Sequence, residues 1–112
     1  MVLAEANVDQ KIASIQEACH RALEGRGEAI PLNPARDIGV VPSCDMPERP
    51  GLAAPSGQIR LLHDLANIEL QAMELGLRTL IEFSEAPCNF RHQLAAVTLE
   101  ESEHLALCLR SL

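Results

Sequence analysis

The chain has 112 residues, a net charge of −7 and a sequence pI near 5.0, and its length suits one small domain. Such an acidic balance argues against non-specific binding of DNA or RNA and against docking on anionic membranes. No apolar run approaches the roughly 20 residues that a membrane-spanning helix needs. Hydrophobic residues make up 47% of the chain and aromatic residues only 2%. The core must therefore be aliphatic, which is typical of packed helices.

The N-terminal sequence MVLAEANVDQ has neither the basic start nor the apolar run of a signal peptide, so we expect a cytoplasmic protein. The cysteines are widely spaced and form no CxxC motif. In a reducing compartment this spacing predicts free thiols at Cys19, Cys44, Cys88 and Cys108.

The first predicted element is an amphipathic helix from about Asn7 to Leu23, within an N-terminal region of residues 1–27. Asn7 or Asp9 can cap its first turn, and glycines follow its last residue. Its apolar residues recur at helical spacing, and they are Val8, Ile12, Ile15, Cys19 and Leu23.

A proline-rich segment, residues 28–57, follows this helix. Six of the seven prolines fall between Pro31 and Pro55, and proline forbids a continuous helix. A connection of this length is unusual inside a compact domain. It is either an extended arm that lies on the surface or a flexible tether.

Residues 58–112 are predicted to form a long antiparallel helical hairpin. Its first helix starts near Ser56, a suitable N-cap, and runs to about Ser84. The turn EAPCN interrupts the helix at Pro87, and Asn89 can cap the next helix, which reaches the end of the sequence. A short loop between two long helices indicates an antiparallel pair. No strand pattern exceeds IGVV, so the predicted class is all-α.

Glu69 is predicted to point inward. At about 100° per residue, it lies in the middle of an apolar stripe on the first hairpin helix. Glu74 lies about 140° away and is expected at the surface. The stripe consists of Leu62, Leu65, Met73, Gly76 and Leu80.

Glu101 occupies the same kind of position on the second hairpin helix, and His104 lies about 60° to one side, still on the predicted buried flank. Glu103 faces outward and Glu100 lies on the border. At 1.5 Å per residue, Glu69 and Glu101 both stand roughly 18–21 Å from the turn, so they should face each other. The stripe around Glu101 consists of Phe90, Leu94, Val97, Leu105, Cys108 and Leu112.

Two inward carboxylates and an imidazole need a joint explanation, because burying a lone carboxylate costs several kcal/mol. Di-metal carboxylate bundles take a lone Glu from each of two helices and Glu-x-x-His from each of the other two. Glu69, Glu101 and His104 supply half of that set, and such ligands favour iron, manganese or zinc. The alternative is a metal-free hydrogen-bonded cluster with a protonated His104.

The stretch IELQAMEL and the downstream motif EExEH resemble a ferritin-like family, domain of unknown function 455, and the resemblance covers residues 42–112. It implies a ferritin-like four-helix bundle with a di-iron or di-manganese centre, in which Glu69, Glu101 and His104 are metal ligands. It implies no particular reaction.

Family members continue into a second helix pair that brings the remaining ligands, whereas this sequence stops at Leu112. Either two copies pair their hairpins into a symmetric bundle with a complete di-iron site, or the chain is a fragment with half a site. The first alternative predicts a homodimer that activates O₂ or peroxide or handles iron. The second predicts a non-enzymatic helical dimerisation module or an incomplete metal site.

Overall fold

A computed structural model describes residues 2–3, 5–26, 31, 33–36, 46–48 and 50–112 of the chain. This part contains three helices, α1 (Val8–Leu23), α2 (Pro55–Glu82) and α3 (Cys88–Ser111). The predicted all-α class is confirmed, since the described residues contain no strand. None of these helices combines the length and apolar character needed to cross a membrane.

Helix α1 begins and ends as its sequence predicts. The Asn7 side chain caps the first turn by accepting a hydrogen bond from the Gln10 backbone N–H at 3.0 Å. Just after the helix, Gly25 has a φ of +76°, a left-handed conformation that glycine adopts without strain. Ile15 and Cys19 face the core from this helix.

The two long helices start differently from the prediction. Helix α2 begins at Pro55, whose missing N–H is not needed in a first turn, and no side chain caps it. Helix α3 begins at Cys88 after an extended Pro87, again without a side-chain cap. The predicted N-cap roles of Ser56 and Asn89 are therefore wrong, because both residues lie inside the first helical turns.

Contacts between α2 and α3 run in opposite chain order. Arg91 donates a hydrogen bond to the Leu80 carbonyl at 3.2 Å, and further from the turn Gly76 lies against Thr98. A Cβ on residue 76 would lie 2.1 Å from the Thr98 Oγ1. Glycine is thus required for this close approach of the two helices.

The core is aliphatic, as the composition predicts. Buried side chains from all three helices form it together with Val2 and Leu3, and among them are Ile15, Leu70, Met73, Leu77, Leu80 and Leu105. Arg91 of α3 also links this core to α1, because its guanidinium donates a hydrogen bond to the Ala22 carbonyl at 2.8 Å.

Three cysteines of the described residues are free thiols: Cys19, Cys88 and Cys108. Cys44 lies outside the described residues. Burial raises the pKa of the Cys19 thiol to about 11, because a thiolate would lose its hydration there. Cys19 thus serves as a small apolar core residue.

The start of the proline-rich segment lies along the helices. The Ala35 backbone N–H donates to the Leu3 carbonyl at 3.0 Å, the Arg78 guanidinium donates to the Pro31 carbonyl, and Arg36 pairs with Glu74. These contacts place residues 31 and 33–36 against the helices, and we call this stretch the arm. Residues 28–30, 32, 37–45 and 49 of the predicted segment lie outside the described residues.

Glu74 is buried, with 2% of its surface exposed, and its predicted surface position is wrong. Lys11 from α1 pairs with one carboxylate oxygen of Glu74, and Arg36 pairs with the other. Lys11 is itself completely buried. The prediction failed because Glu74 lies outside the apolar stripe around Glu69. Residues of α1 and of the arm nevertheless pack on this side of α2 and bury it. We call Lys11, Arg36 and Glu74 the buried ion cluster.

Candidate metal centre

Helices α2 and α3 bring together the three predicted site residues, Glu69, Glu101 and His104. One ligand atom of each lies within 4.8 Å of the other two. The His104 Nδ1 is 3.4 Å from the Glu101 Oε2 and 3.7 Å from the Glu69 Oε2. The i, i+3 spacing of Glu101 and His104 places them one turn apart on α3, and the opposite chain order of the helices brings Glu69 to the same level.

Glu69 carries the least satisfied polar atom of the group. Only 19% of its side chain is exposed, and the Oε2 atom is buried without a hydrogen-bond partner among the described residues. A buried carboxylate oxygen without a hydrogen-bond donor is unfavourable, because it loses its hydration. The titratable His104 Nδ1 lies 3.7 Å from it, and either a protonated imidazole or a metal ion would compensate the negative charge.

His104 and Glu101 are more accessible than Glu69. The side chain of His104 is 56% exposed and that of Glu101 is 26% exposed. The predicted position of His104 on a buried flank is therefore wrong. Apolar neighbours on both stripes are exposed as well, since Leu65, Phe90 and Val97 are 37%, 48% and 49% exposed.

These exposed residues lie on the side of α2 and α3 that α1 does not cover. Leu61, Ile68 and Leu75 recur every seven residues, so they form a row along α2, and all three are exposed. The periodicity of the stripes correctly identified apolar faces, but within one chain part of each face has nothing packed on it. We call this surface the open face, and it consists of Leu61, Leu65, Ile68, Leu75, Phe90 and Val97.

The three side chains could together hold a metal ion. Two carboxylates and one imidazole are ligands for iron, manganese or zinc. Metal–ligand bonds of about 2.0–2.2 Å allow two ligands of one ion to stand roughly 3–4 Å apart, which is the size of the two distances from the His104 Nδ1. The Glu69 Oε2, which accepts no hydrogen bond from the described residues, is also free to bind a cation. Glu100 and Glu103 are exposed and do not join the group.

The buried ion cluster is the polar group that the sequence did not reveal. It differs from the metal-ligand group because it already contains its own cations, Lys11 and Arg36. Two cations on one carboxylate more than neutralise the charge of Glu74, so this cluster is not a place for a metal ion. Its members come from α1, the arm and α2, separated by 63 and 38 residues, so no local motif connects them.

The chain belongs to the family described as protein of unknown function DUF455, whose model matches residues 4–112. The match includes α1 and the arm, so it extends beyond the region where the sequence motifs lie. No curated protein and no solved structure matches the chain. The family thus defines the class of this protein but assigns it no reaction.

Proposed function

We propose that the protein is a ferritin-like metal-binding protein whose α2–α3 hairpin forms half of a four-helix bundle. Two copies would complete one di-metal site, with Glu69, Glu101 and His104 from each chain. The observation that carries this proposal is the convergence of these three side chains around a buried Glu69 oxygen without a hydrogen-bond donor. Two Glu and two Glu-x-x-His motifs make up the ligand set of such bundles.

The open face supports the pairing of two copies. Its apolar side chains flank the ligands, with Leu65 one turn before Glu69 and Val97 one turn before Glu101. A second copy related by a two-fold axis would cover both sets of apolar residues and bring its own ligands to the same place. Burial of that apolar area would also favour association.

Iron is the metal we propose, because four-helix bundles with this ligand set hold di-iron or di-manganese centres; manganese and zinc are the alternatives. A bound di-iron pair supplies the means to activate O₂ or peroxide or to store and oxidise iron. The residues of this chain would hold the ions: the carboxylates of Glu69 and Glu101 neutralise charge, and the His104 imidazole contributes a neutral ligand. No substrate is assigned.

The alternative is a non-enzymatic dimerisation module that keeps the apolar open face but holds no metal. The exposure of His104 favours this alternative, because a half-exposed imidazole is readily solvated. Both proposals predict that two chains associate, so a measurement of metal binding distinguishes between them. In the alternative, replacing Glu69 with leucine would stabilise the protein with no loss of function.

A matched pair of isoleucines tests the proposed interface. Ile68 and Ile59 are 58% and 51% exposed on the same helix, and nine residues at about 100° each place them on opposite sides. We expect Ile68→Glu to give monomers that bind iron at least tenfold more weakly, because the second half of the site is lost. Ile59→Glu should leave mass and binding unchanged. Equal behaviour of the two variants in light scattering and metal titration would refute the interface.

A further inference from the structure

A second concave surface lies where the beginning of α1, the first half of α2 and the end of α3 meet. It encloses about 690 Å³, within the range of roughly 300–1,000 Å³ that is usual for small-molecule sites. Its walls are mostly apolar. They are formed by Val8, Ile12, Ala66, Leu70, Leu105, Ala106, Leu109 and Leu112. We call this surface the α1 cleft.

Two polar side chains on the rim of the α1 cleft have no protein partner among the described residues. Neither the Arg110 guanidinium nor the His63 imidazole has a hydrogen-bond or ion-pair partner among the described residues, although both line the cleft. By contrast, Arg60 pairs with an aspartate at 3.1 Å and Arg91 binds two carbonyl groups. Asp9 is the acidic side chain on this rim.

We propose that the α1 cleft binds a small amphiphile with an apolar chain and a carboxylate head. The chain would pack against Ile12, Leu70 and Leu109, where contact with water is unfavourable. The head would lie at Arg110, because a guanidinium fits a carboxylate with two parallel hydrogen bonds. His63 provides a further donor on the same rim.

Leu70 and Leu105, which are buried walls of the α1 cleft, are the chain neighbours of Glu69 and His104 and point about 100° away from them on their helices. None of the three metal-ligand residues lines the cleft. Binding in the cleft requires neither a metal ion nor a second copy, so this proposal does not depend on the proposed function.

Titration calorimetry with octanoate and 1-octanol, below their aggregation concentrations and on metal-free protein, tests the proposal. The wild type is expected to bind both, and octanoate more tightly. Arg110→Gln should weaken octanoate at least tenfold and leave octanol unchanged, because only the carboxylate uses the guanidinium. This variant changes an exposed side chain, so its fold should be retained.

Filling the cleft gives the second half of the test. Ala106→Trp places a large ring among the lining residues and should weaken both ligands at least tenfold. Ala96→Trp, at an exposed alanine of the same helix outside the cleft, should have no effect. The proposal would be overturned if the two tryptophan variants had equal effects or if Arg110→Gln left octanoate binding unchanged. It would also be overturned if Ile68→Glu, a substitution outside the cleft, abolished binding of the ligands. A wild-type dimer that Ala106→Trp alone makes monomeric would also overturn it, since a second copy would then occupy the cleft.

Discussion

Replacement of Glu74 with alanine is expected to destabilise the protein by about 3–5 kcal/mol, because it leaves a buried cation without a counter-charge. Lys11 is completely buried, and Glu74 is its ion-pair partner. Small domains have a free energy of unfolding of roughly 5–15 kcal/mol. The substitution should therefore remove a large fraction of the stability and lower the urea midpoint strongly.

Two control variants identify the cause of that loss. Glu103→Ala removes an exposed carboxylate from α3 and should change the free energy of unfolding by no more than about 0.5 kcal/mol. The triple variant Lys11→Met, Arg36→Met, Glu74→Leu replaces all three members of the cluster with apolar side chains, and we expect it to recover most of the stability. A loss below about 1 kcal/mol in Glu74→Ala would show that the buried ion cluster does not hold α1 on the core.

Replacement of Glu101 with alanine is expected to abolish metal binding and to leave the helix content largely intact. Of the two proposed carboxylate ligands, only Glu101 lies within hydrogen-bonding range of the His104 Nδ1, at 3.4 Å, whereas Glu69 is 3.7 Å away. Its loss removes a ligand from each half of the proposed site, so affinity for Fe(II) should fall at least a hundredfold. Circular dichroism should change little, because alanine is the best helix former.

Glu103→Ala is the matched control for Glu101→Ala. Both variants remove one glutamate carboxylate from α3, two positions apart, but Glu103 is exposed and outside the ligand group. Metal analysis after anaerobic loading and dialysis should give wild-type content for Glu103→Ala and none for Glu101→Ala. Equal metal content in the two variants would mean that any bound iron sits elsewhere.

The helices and the ligand group could be predicted from sequence because each depends on local periodicity. Helix α1 needs only its apolar spacing and the Asn7 cap, and the meeting of Glu69 with Glu101 follows from two helix lengths and a short turn. The helix starts at Pro55 and Cys88 were missed by two residues, because the nearby serine and asparagine are also good caps.

Burial was harder to predict, because periodicity shows which residues share a face but not what covers it. Val97 and Leu65 belong to apolar stripes and yet remain exposed, since no element of the described chain packs there. Glu74 lies outside the stripe and yet is buried, since Lys11 and Arg36 reach it from distant parts of the sequence. Only the tertiary arrangement could reveal either fact.

The most direct test of the proposed function is the metal content and the mass of the same sample of untagged protein after iron loading. We predict one iron ion per chain in a species of twice the 12.2 kDa chain mass, because each copy supplies half of the ligands. A monomer that retains no metal after loading with iron, manganese or zinc would contradict the proposed site at Glu69, Glu101 and His104.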